Sequence, residues 1–185
     1  MKKLISIPVY ALFGSLILFS SCKKDSTTNR TGSGNLDAGK AAIALTSSTS
    51  FGGSTTFDVG NTLTTTAVTQ TSSSLRNISL ACNDVSGTNT RSVMIMIITP
   101  ADASTTSGSL TGDLSLPNGA TILPTISMFT TNAGTPGPTY SSESGTLTIT
   151  KLTATEVEGT FSGTMKDVNG TGTFTVSNGT FAGKF

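Results

Sequence analysis

The sequence predicts an all-β protein, and three features of the chain support this. Thr supplies 36 positions and Gly another 20, and Thr is typical of the pleated, half-buried surface of a sheet. Apolar and polar residues alternate in short segments such as 75–82, where Ile78, Leu80 and Cys82 share one face. Two Asn-Gly pairs, at 169–170 and 178–179, are typical of two-residue hairpin turns. We therefore expect one antiparallel domain.

The first half of the domain contains several short predicted strands. Apolar segments indicate strands at 41–46, 55–59, 63–69 and 75–82, with the weakest alternation at 63–69. The run 93–98 is apolar on both faces and stops before Pro100. We expect it to form a central strand that is covered from both sides.

The middle of the domain is less regular. Residues 110–116 alternate up to a predicted turn at 117–119, and the strand predicted at 122–129 contains Pro124, which favours an edge or a bent strand. Residues 132–140 hold two Pro and two Gly, which predicts the longest loop of the domain. About nine or ten strands result, arranged as a single β-sandwich or as a flattened, calycin-like β-barrel.

The two Asn-Gly pairs predict the register of the C-terminal strands. A turn at 178–179 would pair Val176 with Phe181, Phe174 with Gly183 and Gly172 with Phe185. A turn at 169–170 would pair Met165 with Phe174 and Gly163 with Val176. Both turns place the large apolar side chains on one face, so a shift of one residue would scatter them.

The N-terminal segment has the pattern of a lipoprotein signal. Lys2 and Lys3 precede an apolar stretch at 4–19 that is too short to span a membrane. The tetrad Phe19-Ser20-Ser21-Cys22 resembles the bacterial lipobox, with Phe where Leu is preferred. The resemblance implies cleavage before Cys22 and a lipid on its sulfur; the alternative is an ordinary secretory signal cut near Ser21. We expect a signal peptide at 1–21, the lipidated Cys22 with a flexible tether at 22–40, and the all-β domain at 41–185.

The tether has almost no apolar content and cannot pack. Its start, Lys23-Lys24-Asp25, resembles that of Bacteroidetes-type lipoproteins, some of which carry a second acid as a signal for surface display. Ser26 stands in that place here, so the periplasmic face and the cell surface both stay open. Asp25-Ser26-Thr27 also resembles the O-glycosylation motif of that bacterial group.

The two ends of the chain together resemble one group of proteins. The lipobox, the tether and the repeated Gly-Thr-apolar hairpin pattern up to Phe185 are similar to uncharacterised Bacteroidetes-type lipoproteins with C-terminal Gly-Thr-Phe β-hairpins, a domain of unknown function. The resemblance covers roughly the first 25 and last 45 residues. It implies an outer-membrane location and brings no catalytic residue.

Charge and composition exclude several function classes. Cleavage before Cys22 would leave nine Lys and Arg against ten Asp and Glu, so the chain has no electrostatic means of holding nucleic acid. The absence of His removes the usual general base and the usual zinc ligand. With Cys22 lipidated, Cys82 has no disulfide partner, and its alternating segment predicts a buried thiol. Met94 and Met96 are interpreted as gap fillers of the core rather than a copper pair.

Carboxylates are the remaining candidates for chemistry. Glu156 and Glu158 are two residues apart and should lie together on the solvent face. A glycosidase needs two facing carboxylates, and the sequence leaves open whether Asp84, Asp113 and Glu143 converge. The spacing Asp167-x-Asn169-x-Thr171 is similar to the start of a calcium loop but lacks its length and closing Glu. We expect no metal site and no cofactor.

The sequence therefore predicts a non-catalytic, lipid-anchored outer-membrane lipoprotein that binds a ligand or a protein partner in the cell envelope, with no nucleic acid involved. The alternatives are a small carbohydrate-active enzyme using carboxylates and an adhesive or coating protein of the surface. Tyr140, in the predicted loop at 132–140, is the candidate ligand contact because mobile loops on a rigid sheet often carry binding residues.

Overall fold

The structure is a computed structural model. It describes residues 35–185 except 73, 105, 111–113, 116–120 and 123, and for 106–107, 114–115 and 121–122 it describes the backbone without the side chains. The predicted signal peptide and Cys22 lie outside the described residues, as do Asp113 and the turn predicted at 117–119.

The described strands are twelve: β1 (Lys40–Phe51), β2 (Ser54–Gly60), β3 (Thr65–Ser72), β4 (Leu75–Ser86), β5 (Asn89–Pro100), β6 (Thr106–Ser109), β7 (Leu114–Ser115), β8 (Thr121–Ile122), β9 (Thr125–Asn132), β10 (Thr135–Leu152), β11 (Glu156–Asp167) and β12 (Thr173–Lys184). In this part of the chain no helix has the length and apolar character needed to cross a bilayer.

Ten strands form one antiparallel sheet that curls into a half-barrel, which confirms the predicted all-β class and strand number. The order is β2-β1-β12-β11-β10-β9-β5-β4-β3, β6 pairs with β10, and β7 and β8 form a separate ribbon. Every pair along the path is antiparallel and joins chain neighbours, with two exceptions: β12 returns to β1, and β9 pairs with β5 although β6, β7 and β8 lie between them in the chain. This is the up-and-down order of a barrel.

The two ends of the sheet approach each other because β2 and β3 behave as two halves of one strand. β2 pairs with β1, β3 pairs with β4, and only residues 61–64 separate them. Where β3 passes the start of β1, the Ala67 N–H donates to the Gly39 carbonyl at 2.9 Å. The curled sheet thereby encloses one apolar core.

The core consists of the inward-facing residues of the strands. On β4 and β5 these include Ile78, Leu80, Cys82, Ile95 and Ile97, none of which has any exposed surface. The predicted inward face of 75–82 is confirmed. The outer face of β5 is not covered as predicted, since Met96 is 37% exposed there; a half-barrel has solvent behind its sheet, whereas a layered fold would not.

The hairpin predicted at 178–179 is wrong. β12 runs through both residues, and Asn178, with a φ of 53°, forms a β-bulge between the pairs Val176 with Gly163 and Gly179 with Phe161. The cross-strand pairs predicted from that turn therefore do not form. The predicted buried face is still correct, since Val176 and Phe181 are both buried. The extra residue of the bulge reverses the alternation of inward and outward side chains along β12. A two-residue turn at the same place would have had the same effect on these two side chains.

The register predicted from the pair at 169–170 is confirmed, although the turn is longer than two residues. Met165 pairs with Phe174 and Gly163 with Val176. The strands end at Asp167 and begin again at Thr173, and the Asp167 carboxylate accepts the Asn169 N–H at 3.0 Å. This local hydrogen bond of an Asx turn accounts for the calcium-like spacing.

The folded domain begins before the predicted boundary at residue 41. β1 starts at Lys40, and Leu36 is only 3% exposed because it packs on Ala42 and Ala182 on the outside of the sheet. The Asp37 N–H also donates to the Asn61 side chain at 2.9 Å. Residues 35–40 of the predicted tether therefore belong to the domain.

The strand predicted around Pro124 is an inner strand and not an edge. β9 begins at Thr125, one residue after the proline, and pairs with β5 on one side and β10 on the other. Pro124 therefore removes no hydrogen bond from either ladder.

Candidate functional site

The outer face of the half-barrel carries a groove among the described residues. It crosses β1 and β12, where the outward side chains are Ala42, Ala44, Thr180 and Ala182, and it has a volume of about 160 Å³. Ala42 lies opposite Ala182, and Ala44 lies opposite Thr180. Because four small side chains meet across two strands, the floor of this outer groove is close to the backbone.

The walls of the outer groove are polar. Asp58 of β2 lies beside Ala44 on one side, while Thr150 of β10 and Glu158 of β11 line the other. The Thr150 hydroxyl donates to the Glu158 carbonyl at 3.2 Å, which joins these two strands at the wall. The walls therefore present carboxylate and hydroxyl oxygens to a groove with an apolar floor.

A basic residue moderates the negative charge of one wall. Lys151 Nζ lies 2.6 Å from Glu156 and 3.7 Å from Glu158. The hydrogen bond that Lys151 donates to Glu156 raises the pKa of Lys151, with further contributions from the charges of Glu156 and Glu158. The predicted placement of both glutamates on the solvent face is confirmed, since Val157 between them is fully buried.

Two of the other candidate carboxylates lie within the described residues, and both are paired with cations of their own hairpins. Asp84 of β4 forms an ion pair with Arg91 of β5, and Glu143 of β10 lies 3.1 Å from Lys166 of β11. Among the residues that the structure describes, no three His, Cys, Asp or Glu side chains are grouped so that they could hold a metal ion.

The loop predicted at 132–140 does not exist. Ala133 and Gly134, with φ values of 48° and 79°, turn the chain between β9 and β10, and β10 starts at Thr135. β10 continues through both prolines, with a shift of its register against β9 between Pro136 and Thr139, so composition alone was misleading. Tyr140 thus lies on a strand rather than at a loop tip.

The ring of Tyr140 belongs to an aromatic cluster at one end of the half-barrel. It contacts Phe174 edge-on, with 4.8 Å between ring centroids, and Phe51 at 6.3 Å. Tyr140 is half-buried against the core. Its predicted role in ligand contact stays a prediction, and the packing shows a structural use for the ring.

Two inward-facing arginines are the polar residues that sequence reasoning missed. Arg76 is only 6% exposed; its guanidinium donates to the Thr69 hydroxyl at 2.8 Å and to the carbonyls of Thr153 and Ala154 at 2.5 and 3.2 Å. Burial lowers the pKa of Arg76, and its guanidinium lies 5.1 Å from the centre of the Phe185 ring. Through these hydrogen bonds, Arg76 links β4 to β3 and to the turn between β10 and β11.

Arg91 makes similar contacts at the other end of the inward faces of β4 and β5. Besides its ion pair with Asp84, it donates to the Thr56 carbonyl at 2.8 Å and lies 5.6 Å from the centre of the Phe57 ring. The signal for both arginines was their position in the alternating patterns Arg76-x-Ile78 and Arg91-x-Val93, which continue the core face.

Cys82 and the methionines carry no visible chemistry in this structure. Burial raises the pKa of the Cys82 thiol to about 12, so it stays protonated and unreactive at neutral pH. Met94 and Met96 lie on the outer face of β5, because Val93, Ile95 and Ile97 take the inner one. The interpretation of these methionines as core gap fillers is therefore wrong.

No protein-family model, no curated protein and no solved structure matches this chain. Any functional conclusion consequently rests on the residues and the geometry described above.

Proposed function

We propose that this chain is a non-catalytic lipoprotein, anchored in the outer membrane by lipid on Cys22, which binds a ligand or protein partner of the cell envelope. The observation that carries the binding role is the outer groove, with its small apolar floor and oxygen-rich walls. The interior of the half-barrel is occupied by large apolar side chains. This supports an external binding surface, with the core serving as a rigid support.

The chemistry of the walls selects the class of ligand. Asp58, Glu158 and the hydroxyls of Thr150 and Thr180 offer acceptor oxygens, so a ligand rich in hydroxyl or amine donors fits best. Apolar atoms of the same ligand would cover Ala44, next to Ala42 and Ala182, which Leu36 already covers. A sugar ring or a polar peptide side chain has this combination of groups.

Ala44→Leu tests the outer groove directly. The larger side chain would fill the floor from outside without entering the core, and we expect at least a roughly 10-fold loss of binding to any glycan that the full chain recognises on a glycan array. Ala81→Leu is the matched control, since Ala81 lies on the outer face of β4, away from the groove.

Two outcomes of that experiment would contradict the proposal. Glycan binding lost in Tyr140→Ala but unchanged in Ala44→Leu would move the binding surface to the aromatic cluster. Turnover in a broad hydrolase screen that disappears on changing one carboxylate, for example Asp58→Asn, would show that the protein is an enzyme.

Cys22→Ala tests the anchor. We expect this change to convert a detergent-extracted membrane protein into a soluble or uncleaved one, because the lipid has lost its attachment atom. Labelled palmitate should enter the wild type and the Cys82→Ala control equally. Wild-type protein that takes up no label would contradict the lipoprotein interpretation.

A further inference from the structure

The outward edge of β3 is a row of backbone groups that the half-barrel leaves open. Since the Ala67 N–H points to Gly39 and away from β4, the odd-numbered residues of β3 direct their backbone groups outward. Thr69 and Thr71 therefore present both N–H and C=O on this edge. Among the described residues, no hydrogen bond reaches the backbone N–H of either threonine.

The edge is open because the chain before β1 turns away from it. The Lys40 N–H donates to the Asp37 carbonyl at 3.1 Å, and Gly39 has a φ of 76°. This tight turn carries Leu36 onto the outer face of β1 and β12. Beyond Ala67, β3 has consequently lost the neighbour that would have continued the ladder, and we call the segment 68–72 the free edge.

The other end of the sheet is protected in a way that the free edge is not. On β2, the Ser54 hydroxyl accepts the Thr56 N–H at 3.1 Å, Arg91 donates to the Thr56 carbonyl at 2.8 Å, and Asp58 adds a charge. The free edge holds no charged residue, no Pro and no Gly. An edge strand that lacks charged residues, Pro and covering side chains can pair with a strand of another chain.

We infer that a second copy of this chain pairs with the free edge, β3 against β3, in an antiparallel and two-fold symmetric manner. The segment 68–72 is symmetric about Gln70, so Thr69 of one copy and Thr71 of the other can exchange both of their backbone hydrogen bonds. Gln70 then faces Gln70 of the second copy. Val68, which is 59% exposed, faces Ser72.

The sequence of the free edge suits a copy of itself as the occupant. All five residues are uncharged, so the symmetric pairing brings no like charges together. Five residues from each copy form far less than the roughly 800 Å² per partner of a standard stable interface. We therefore expect association only at high local concentration, as occurs among copies that share one membrane surface.

Disulfide trapping in the full chain, in detergent or reconstituted in vesicles, tests this pairing. Gln70→Cys places two thiols directly across the two-fold axis, within disulfide reach. Thr66→Cys is the matched control, because it is exposed on the same face of β3 but lies about 25 Å or more from its counterpart. We expect at least 10-fold more disulfide dimer with Gln70→Cys; wild-type protein gives the background, and Cys82 stays silent because it is buried.

Two further arms test the hydrogen bonds and the register. Adding Thr71→Pro to Gln70→Cys removes an outward N–H without touching the β3–β4 ladder and should reduce the dimer about 10-fold, whereas Thr71→Val should leave it within twofold. Mixing Val68→Cys with Ser72→Cys should trap heterodimers, while each variant alone should not.

The inference is overturned if Gln70→Cys and Thr66→Cys cross-link equally, or if the mixed pair traps no more than the separate variants. Neither outcome depends on the fold of the proline variant. Ala44→Leu should leave the cross-linking unchanged. The experiments can therefore show separately whether ligand binding at the outer groove or pairing at the free edge is wrong.

Discussion

Replacing Arg76 with alanine should lower the free energy of unfolding by about 3 to 5 kcal/mol, measured by urea denaturation. The change removes three hydrogen bonds and leaves the carbonyls of Thr153 and Ala154 and the Thr69 hydroxyl without their donor. All three bonds are donated by a charged guanidinium, and such hydrogen bonds contribute about 1.5 to 3 kcal/mol each, less where water can replace the donor, as at the carbonyls of the exposed residues Thr153 and Ala154. The space left by the long side chain adds a cavity cost.

Lys166→Ala is the control for this experiment. Lys166 also forms an ion pair, but its side chain and that of Glu143 are roughly half exposed, and such pairs contribute about 0 to 1 kcal/mol. If both variants lose less than about 1 kcal/mol, Arg76 is not the tie across the interior that its contacts indicate.

Gly183→Val should destabilise the domain by about 1 to 3 kcal/mol as overpacking. Gly183 faces the core, and a Cβ atom there would lie 2.5 Å from Leu80, 3.2 Å from Val157 and 3.3 Å from Ala67. β12 faces β3 and β4 across the core at this point, so the added side chain would push β12 away from these two strands. Thermal unfolding followed by circular dichroism would measure the loss.

Lys184→Thr is the neighbouring control. It changes the outward-facing residue of the same strand and should alter stability by less than about 0.5 kcal/mol. Equal effects of the two substitutions would mean that the faces of β12 are assigned the wrong way round.

Gly183 also shows how a correct prediction can rest on a wrong contact. The predicted hairpin at 178–179 placed Gly183 opposite Phe174, whereas the glycine actually meets Leu80 of β4. Alternation is a local property of each strand, so it predicted the buried face. Which strand lies across the core depends on how the sheet curls, and no local pattern contains that information.

The same distinction applies to the candidate site. The sequence predicted that Glu156 and Glu158 share the solvent face, because two residues separate them on an alternating strand. The outer groove needed the pairing of β1 with β12, which brings residues 42–44 beside 180–182. A contact between residues about 140 positions apart in the chain has no short-range signal.

The amino-acid sequence by itself determined the all-β class, the inward faces of β4, β11 and β12 and the register of β11 with β12 next to their turn, since side-chain alternation and hydrogen-bond geometry act over a few residues. Three features were decided by the tertiary structure alone. Asn178 forms a bulge, Arg76 and Arg91 link separate strands at the two ends of the half-barrel, and the outward edge of β3 has no neighbouring strand in the described part of the chain. These three features depend on which strands meet when the sheet curls. Curling is set by the packing of the whole core, to which every strand contributes at once.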